Sequence, residues 1–306
     1  MLEVNVELGK VSRIGSLAAC IGYFDGLHLG HQQLISKTIE LANENGLASA
    51  LITFEPDPWV VLRELTSIEH INSLAQRKTI VDNLGIDIWI SIAFTKELAN
   101  LKPDAFINDV LIALGVNELV CGFDFTFGSF GQGDTKLLGE CHEFNTTVID
   151  PVLKDEVKIS STLIEENIRK GNLSLVRELL SRPYTLISEV IHGRNRGEEI
   201  GFATANIDVN GTYVVPKTGV YAGVVNYDGE KYVSVVNVGH NPTFNERTNI
   251  SIECHLLDFS GDLYGKTIEV EFYEFIRDER KFDNVEALTY QIKKDIEKAR
   301  GFSSFW

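Results

Sequence analysis

Near its N-terminus the chain reads Gly22-Tyr-Phe-Asp-Gly-Leu-His28-Leu-Gly30-His31. The apolar run 17–21 before it predicts a buried strand, and apolar residues at helical spacing follow it from Leu34. The two histidines therefore lie where a strand turns into a helix, and the N–H groups and positive dipole end of a helix N-terminus attract phosphate. Glycine lets a ligand approach the backbone closely. The stretch predicts an anion site in which His28 and His31 donate hydrogen bonds to one phosphate. The alternative is a pair of surface histidines beside a turn.

The composition is that of a soluble globular protein. The chain has 306 residues, which suggests two domains. It carries 28 Lys and Arg against 44 Asp and Glu, a net charge of −16, and both sides of Pro183 are acidic. Such a charge argues against nucleic acid or an anionic membrane as a partner. An acidic protein that handles nucleotides is expected to use Mg²⁺ to bring the phosphates in.

The sequence also bears on the compartment. The first residues lack the basic and apolar regions of a signal peptide, and no apolar run approaches membrane-spanning length. The four cysteines are scattered, without a Cys-x-x-Cys pair, at Cys20, Cys121, Cys141 and Cys254. We expect a cytoplasmic protein with reduced thiols, neither disulfide-bonded nor zinc-binding. The sequence does not indicate an oligomeric state.

The first half alternates strand-like and helix-like segments. Strands are predicted at 16–24, 47–54, 86–94 and 119–122, and helices after His31, at 74–84 and at 103–114. This alternation predicts an α/β domain with a doubly wound parallel sheet, in which ligands bind beyond the carboxyl ends of the strands. His28 and His31 fall at such an end. This half contains neither Gly-x-Gly-x-x-Gly nor a P-loop sequence, so neither standard nucleotide-binding motif is predicted.

Two later stretches of this half carry candidate site residues. Gly122-Phe-Asp124-Phe-Thr-Phe-Gly128 leaves a strand for a glycine-rich loop. Asp124 holds a metal or a ligand hydroxyl, or it caps the loop, and the sequence favours neither. Ser160-Ser161-Thr162 opens a predicted helix that runs to about Lys170. These hydroxyls cap the helix and are also candidates for binding phosphate.

The pattern changes after Pro183, so we place the domain boundary there, with domains at 1–183 and 184–306. Short strands are predicted at 185–191, 220–226, 232–238, 251–257 and 267–275, and a helix at 285–300. Successive strands without intervening helices predict an all-β domain, a small antiparallel barrel with the terminal helix packed across it. Gly261-Asp-Leu-Tyr-Gly265-Lys-Thr267 resembles a P-loop but has three residues between its glycines and joins two strands, so we interpret it as a β-turn.

One loop of this half suits a nucleotide. His192-Gly193-Arg194-Asn-Arg-Gly-Glu-Glu-Ile-Gly201 is rich in Gly and Arg, a composition that cradles phosphate with backbone amides. Thr204 and Asn206 follow it and alternate on an extended segment, so both project to one side. They are candidates to share a Mg²⁺ bound to nucleotide phosphates. A merely polar strand edge explains them equally well.

The first half resembles a known module. Four motifs occur in order, namely Phe24-Asp-Gly-x-His-x-Gly-His31, Phe54-Glu-Pro-x-Pro58, Gly122-x-Asp-Phe-x-Phe-Gly128 and Ile159-Ser-Ser-Thr162. Together they resemble the adenylyltransferase module of prokaryotic bifunctional riboflavin kinase/FAD synthetases. The resemblance implies that the FMN phosphate attacks the α-phosphorus of ATP and that pyrophosphate leaves, with positioning and charge stabilisation as the source of catalysis. It implies catalytic roles for His28 and His31, nucleotide binding by Gly22, Phe24, Asp25, Gly30, Ser160, Ser161 and Thr162, and flavin binding by Asp124 and Phe125.

Three residues of this half depart from the family pattern. Asp57 stands where the family usually has His, Thr126 where a basic residue is common, and Glu165 where Arg is usual. Each change removes a cation or a potential cation, and two of them introduce a carboxylate near the expected polyphosphate. Each is expected to cost on the order of 1–3 kcal/mol of phosphate binding, so the second activity is expected to be weakened.

The second half resembles the riboflavin kinase module of the same family over nearly its full length. The motifs are Thr204-Ala-Asn206, Asn237-Val-Gly-His-Asn241-Pro-Thr, Glu253 and Arg277-x-Glu279. The resemblance implies that Thr204 and Asn206 hold Mg-ATP beside the loop of Gly193, Arg194 and Gly201. Glu253 would accept the proton of the ribityl 5′-hydroxyl as it attacks the γ-phosphate. Asn241, Arg277 and Glu279 would bind flavin. Ala203 replaces the family's proline, which predicts a modest loss of preorganisation.

We therefore predict a cytoplasmic enzyme that phosphorylates riboflavin to FMN and adenylylates FMN to FAD. Its partners would be the small molecules ATP, riboflavin and FMN, with Mg²⁺. Two alternatives stay open on the sequence. The first is a riboflavin kinase whose adenylyltransferase half is degenerate, and the second is a non-catalytic flavin or nucleotide sensor.

Overall fold

The computed structural model describes residues 1–192, 202–209, 211–240 and 250–302. The chain forms two compact units. The first comprises Met1–Ile68 and Ser73–Ser160, and the second comprises Glu69–Asn72 and Ser161–Trp306. Within the described ranges, no helix combines the length and the apolar character that crossing a bilayer requires.

A parallel sheet of six strands forms the centre of the first unit. The strands are β1 (Leu2–Val6), β2 (Leu17–Ile21), β3 (Ala48–Glu55), β4 (Ile88–Ala93), β5 (Val116–Gly122) and β6 (Asn145–Ile149), in the order β1-β4-β3-β2-β5-β6. All five residues of β2 are buried, as expected for a central strand covered on both faces. Ala19 and Ile21 enter the core on one face of the sheet, and Cys20 enters the core on the other. The predicted doubly wound sheet is confirmed.

The helices of the first unit flank this sheet. They are α1 (Leu29–Asn45), α2 (Pro58–Arg63), α3 (Leu74–Leu84), α4 (Lys96–Ala99), α5 (Pro103–Phe106) and α6 (Thr135–Gly139). Residues Ile107–Ile112 continue α5 as a π-helix, Ser129–Gly131 form a 3₁₀ turn, and β7 (Leu153–Lys154) pairs with β8 (Val157–Lys158). The helix α1 ends at Gly46, whose φ of 65° closes it in the left-handed conformation.

The second unit is built on a closed antiparallel barrel. Its strands are β9 (Tyr184–Ile191), β10 (Ala205–Ile207), β11 (Gly219–Tyr227), β12 (Glu230–His240), β13 (Ile250–Leu256) and β14 (Thr267–Arg277), in the order β10-β13-β12-β11-β14-β9, and β9 pairs with β10 to close it. Asp228 and Gly229 both have positive φ in the turn between β11 and β12. Residues 261–266 form bends and turns before β14, which agrees with the β-turn interpretation. The predicted barrel is confirmed.

In the described part of the second unit, the helices that accompany the barrel are α7 (Ser161–Lys170), α8 (Leu173–Leu180) and α9 (Val285–Gly301). Ile296 and Ala299 of α9 pack in one cluster with Val220, Ala222 and Val235 of the barrel wall. The terminal helix therefore packs across the barrel, as its apolar spacing predicts.

A short segment from early in the chain also belongs to the second unit. His70 donates its backbone N–H to the Thr212 carbonyl and accepts the N–H of Val214, and Arg182 donates to the Asn72 side chain. This unit thus includes chain from both sides of Pro183. The limits of the independently folding domains stay a prediction.

Buried thiols make the stability of this fold sensitive to alkaline pH. Cys20, Cys121 and Cys254 are buried, and burial raises the pKa of each thiol, that of Cys121 from 9.0 to about 11. Below pH 9 the thiols are neutral in both states. Between pH 9 and 11 the unfolded chain releases protons that the fold retains, so the free energy of unfolding falls by at most about 1.4 kcal/mol per pH unit for each thiol.

Urea unfolding at several pH values between 8 and 10.5 measures this effect. We expect stability to fall above about pH 9, with a shallower slope in the variant Cys121→Ala. An identical slope in that variant would show that the thiol does not contribute.

Candidate active sites

The first candidate site is the turn between β2 and α1. Phe24, Gly26 and Leu27 all have positive φ, at 58°, 78° and 44°. For Phe and Leu this conformation costs about 1–3 kcal/mol each, and such strain persists only where the surroundings enforce it. Both side chains are fully buried, so the core holds the turn in place. The Gly22 N–H donates to the Ile52 carbonyl of the neighbouring strand.

The turn brings His28 and His31 together at the start of α1. His28 is the N-cap, and its Nδ1 accepts the backbone N–H of His31 at 3.4 Å. The neutral His28 ring therefore carries its proton on Nε2, which is a donor. The two rings stack with centroids 3.7 Å apart. A Cβ on Gly30 would lie 3.1 Å from Cε1 of His28, so glycine leaves room for this ring.

The neighbours of the histidines are buried. Asp25 is 3% exposed, and Phe24 contacts the His31 ring edge-on with centroids 5.2 Å apart. The Phe24 side chain thus supports the His31 ring from the core. The roles assigned to Gly22, Phe24, Asp25 and Gly30 stay predictions.

Sequence reasoning missed a buried cation beside this turn. Arg77 of α3 is 6% exposed, its Nη1 donates to the Tyr23 carbonyl at 3.2 Å, and its guanidinium lies 5.3 Å from the centre of the Tyr23 ring. The sequence offered no signal for it, because an arginine within a helical pattern ordinarily faces solvent.

The structure gives Asp57 a local role. This residue is the N-cap of α2, and its carboxylate accepts the N–H of Trp59 at 2.6 Å. It is buried and interacts electrostatically with Arg77. The carboxylate that replaces the family's histidine is therefore engaged by a helix N-terminus and lies near a cation.

An aromatic pocket of about 660 Å³ lies in the same unit. Its lining includes Phe54, Trp59, Phe94, Phe106, Phe127 and Phe130. Phe130 is 94% exposed and has a φ of 55°. Thr126 also lines the pocket. Sequence reasoning missed this pocket, although aromatic residues at every second position of 123–127 were a signal. Flat aromatic walls suit a planar ring system.

Asp124 and Phe125, which precede the glycine-rich loop, have different surroundings. Asp124 is exposed and forms an ion pair with Lys158, whose Nζ lies 4.7 Å from the centre of the Phe123 ring. Phe125 packs against the core and stacks on Phe127. Their flavin-binding roles stay predictions.

The predicted hydroxyls lie where the first unit ends and the second begins. Ser160 precedes α7, which starts at Ser161 and includes the exposed Thr162. Glu165 is half-buried one turn into this helix. Phosphate binding by the three hydroxyls stays a prediction.

The second candidate site is in the barrel. In the strand register Glu253 of β13 lies directly opposite Asn206 of β10 on one side and Asn237 of β12 on the other. The residues on either side of Glu253, Ile252 and Cys254, are fully buried. Because side chains alternate along a strand, the three polar side chains share the opposite face.

Two pockets of the second unit share a wall at this place. One has a volume of about 300 Å³ and is lined by Thr204, Asn237, Glu253 and Arg277 among others. The other has a volume of about 550 Å³ and contains the rings of His192 and Tyr264, which stack 3.5 Å apart. Thr204 and His255 line both pockets, and His255 Nδ1 lies 2.8 Å from the Ala203 carbonyl oxygen. Sequence reasoning missed His255, which the barrel register alone brings here.

The predicted flavin residues Arg277 and Glu279 line the smaller pocket. Arg277 is held by Asp295 of α9, with Nε 3.0 Å from Oδ2 and Nη2 2.7 Å from the same oxygen. Asp295 is 1% exposed and also accepts a hydrogen bond from Gln291. The terminal helix thus fixes the arginine at the pocket wall, a link that the sequence did not indicate. The predicted residues Gly193, Arg194, Gly201 and Asn241 lie outside the described residues.

Thr204 and Asn206 offer a hydroxyl and an amide oxygen beside the Glu253 carboxylate. Such neutral and anionic oxygens are the ligands that Mg²⁺ prefers, usually completed by water and substrate phosphates. In the described part of the chain, no group of three or more His, Cys, Asp or Glu side chains is arranged to hold a metal by itself. The oxygens of Thr204 and Asn206, with the Glu253 carboxylate opposite Asn206, fit a hard cation whose other ligands come from water or substrate.

Two family models match successive parts of the chain. A family model described as FAD synthetase matches residues 12–163, and one described as riboflavin kinase matches residues 180–303. A crystal structure from Streptococcus pneumoniae, titled a macrolide-efflux protein, superposes with a TM-score of 0.90 at 32% identity. The match covers 98% of this chain and 99% of that one.

Bacterial relatives share this architecture along most of their length. Proteins named bifunctional riboflavin kinase/FMN adenylyltransferase are 40% identical in Bacillus subtilis and 39% in Listeria monocytogenes. The match with the Bacillus subtilis protein covers 93% of this chain and 92% of that protein. The match with the Listeria monocytogenes protein covers 92% of this chain and 91% of that protein. The relative of the same name in Escherichia coli K12 is 34% identical over 92% of this chain and 91% of its own length. The chain belongs to the family of bifunctional riboflavin kinase/FMN adenylyltransferases.

Proposed function

We propose that this protein makes FMN from riboflavin in its second unit and FAD from FMN in its first, with ATP as the donor in both reactions. Support comes from the two family models, one for each unit, and from relatives named for both activities. The observation that carries the proposal is the presence of two separate candidate sites, each within one matched region.

In the kinase reaction, riboflavin would occupy the smaller barrel pocket and ATP the larger one. The apolar residues Val220, Val235 and Ile292 suit the flavin ring, and the stacked His192 and Tyr264 suit a purine base. The ribityl 5′-hydroxyl and the γ-phosphate would then meet at the wall that the pockets share. Glu253 lines the riboflavin pocket there, so its carboxylate accepts the hydroxyl proton while the oxygen attacks the γ-phosphorus and ADP leaves.

Thr204 and Asn206 would hold Mg²⁺ in this reaction. Bound there, the metal supplies charge neutralisation for the β- and γ-phosphates. Neutralisation matters in a chain whose net charge is −16, because ATP itself is an anion.

In the adenylyltransferase reaction, His28 and His31 would bind the phosphates of ATP. The Nε2–H of His28 and the backbone N–H groups of Leu29 and Gly30 in the first turn of α1 would be donors toward a phosphate oxygen. An FMN phosphate oxygen attacks the α-phosphorus, and the bond to pyrophosphate breaks, so no protein nucleophile is needed. The flavin ring would occupy the aromatic pocket beyond β3, between residues such as Trp59 and Phe127.

We further propose that both reactions take place in the cytoplasm, where ATP is available and thiols stay reduced. The partners are then the small molecules ATP, riboflavin and FMN, without nucleic acid, as the negative charge suggests.

The kinase-only alternative rests on Thr126 and Glu165, which lack the basic side chains usual in the family. Asp57 supports it less, because its carboxylate caps α2 near Arg77. One experiment decides between these alternatives. Purified protein is incubated with ATP, Mg²⁺ and either riboflavin or FMN, and the products are separated by chromatography. FMN from riboflavin together with FAD from FMN supports the proposal. FMN alone would favour the kinase, and flavin bound without any product would favour a sensor.

A further inference from the structure

Arg77 combines burial with a set of anionic neighbours. The side chain of this α3 residue is 6% exposed, and burial lowers the pKa of its guanidinium, an effect that the carboxylates of Asp25, Asp57 and Glu55 only partly oppose. An arginine stays protonated in proteins, so a full positive charge lies beneath the turn that carries the histidines. Its Nε donates to none of the described groups. A buried charge of this kind is costly unless nearby carboxylates compensate it.

The Arg77 guanidinium donates a hydrogen bond to the turn at the peptide where the positive-φ residues begin. The Tyr23 carbonyl accepts hydrogen bonds from Arg77 Nη1 at 3.2 Å and from the Thr53 hydroxyl at 3.3 Å. The next residue, Phe24, is the first with positive φ, and the chain then runs through the left-handed residues to His28. The two donors therefore fix the peptide at which the strand becomes the phosphate-facing turn.

The positive charge of Arg77 also acts on Asp57, the carboxylate that stands where the family usually has histidine. Asp57 caps α2 through the Trp59 N–H and is buried, so its negative charge is fixed within the first unit, near Arg77. A fixed carboxylate there would repel a polyphosphate. Arg77 interacts electrostatically with both Asp57 and Asp25, and its positive charge offsets part of theirs.

We propose that Arg77 is a positioning residue for adenylyl transfer, a role that rests on the proposed function of the first unit. It holds the Tyr23 carbonyl so that His28 and His31 face the phosphates, and it neutralises Asp57 so that the site accepts ATP. A purely structural arginine would instead affect only the stability of the core.

The variants Arg77→Gln, Arg77→Lys and the double variant Arg77→Gln with Asp57→Asn separate these roles. In FAD synthesis from FMN, Arg77→Gln is expected to raise the KM for ATP by about 10- to 100-fold, because it removes a positive charge that acts on Asp57 and a donor to the Tyr23 carbonyl. Riboflavin phosphorylation by the same protein is expected to stay unchanged because it is assigned to the second unit, and an unchanged urea-unfolding midpoint shows that the first unit has folded. Arg77→Lys keeps the charge and is expected to have a KM nearer that of the wild type.

The double variant is the decisive measurement, because removing the Asp57 charge should restore most of the ATP affinity that Arg77→Gln loses. Lys78→Gln serves as the matched control, since it removes a cation from the next position of α3, where the side chain pairs with Glu3. A double variant whose KM for ATP is no lower than that of Arg77→Gln would overturn the proposal. So would a loss of FAD synthesis in Arg77→Gln that is accompanied by a lowered unfolding midpoint and is not reduced by Asp57→Asn. Failure of the wild-type protein to make FAD would overturn the proposed function, and this role with it.

Discussion

The variant Glu253→Gln is expected to lose riboflavin phosphorylation by about 10³-fold, the range over which a general base contributes. Glutamine preserves the size and the position of the side chain between Asn206 and Asn237 but cannot accept a proton. FAD synthesis from added FMN should be unaffected, because it is assigned to the other unit. Initial rates with riboflavin and with FMN, measured on the same preparation, check both statements.

Glu230→Gln is the control for this variant. Glu230 is an exposed carboxylate at the start of β12, in the hairpin turn of the same barrel, and its replacement should leave both activities unchanged. Full kinase activity in Glu253→Gln would contradict the assignment of the base. A loss of both activities together would indicate damage to the fold instead.

Replacing His28 by asparagine is expected to lower FAD synthesis from FMN by about 10²- to 10³-fold, as the loss of one preorganised donor typically does. Asparagine is a good N-cap, so it can still accept the His31 N–H at the start of α1, but it lacks the Nε2 donor. Alanine removes both functions. We therefore expect His28→Ala to show the same loss of activity and an added loss of stability of about 1 kcal/mol.

The rate of FAD synthesis and the urea unfolding midpoint are measured for both variants, with His142→Asn as a control at an exposed histidine. The two measurements separate the chemical contribution of His28 from its structural contribution. Wild-type FAD synthesis in His28→Asn would mean that His28 serves only as a helix cap. Riboflavin phosphorylation should be unchanged in all three variants.

The sequence predicted the fold where hydrophobic patterns are strong. The fully buried strand Leu17–Ile21 and the following glycine-rich turn were visible as an apolar run and a helical spacing. The edge strands β1 and β6 were missed, because several of their residues are exposed and interrupt the apolar pattern. The barrel was predictable from successive strands without helices, but its register was not.

The candidate sites were predicted where residues are close in sequence. His28 and His31 are three residues apart, so helix geometry alone brings them together. Arg77 lies 54 residues from the Tyr23 carbonyl that it contacts, and only the packing of α3 against the sheet joins them. Asp295 and Arg277 likewise come from a helix and a strand that no local pattern links.

The interpretation of Asp57 changed most between sequence and structure. From the sequence its carboxylate was a repulsive group in a phosphate site. In the fold it caps α2 and interacts electrostatically with a buried arginine, which supports an active first unit. The effect of a substitution thus depends on its neighbours in space, which a comparison of motifs does not include.

The fate of labelled phosphorus tests the central claim most directly. Riboflavin is incubated with the protein, Mg²⁺ and ATP labelled either at the γ- or at the α-phosphorus, and the flavins are separated and counted. Two centres acting in sequence predict FMN that carries only the γ label. They also predict FAD that carries the γ and the α label in equal amounts, with pyrophosphate released. Flavin that carries the γ label but never the α label would contradict the account, because it would show that the first unit does not transfer the adenylyl group.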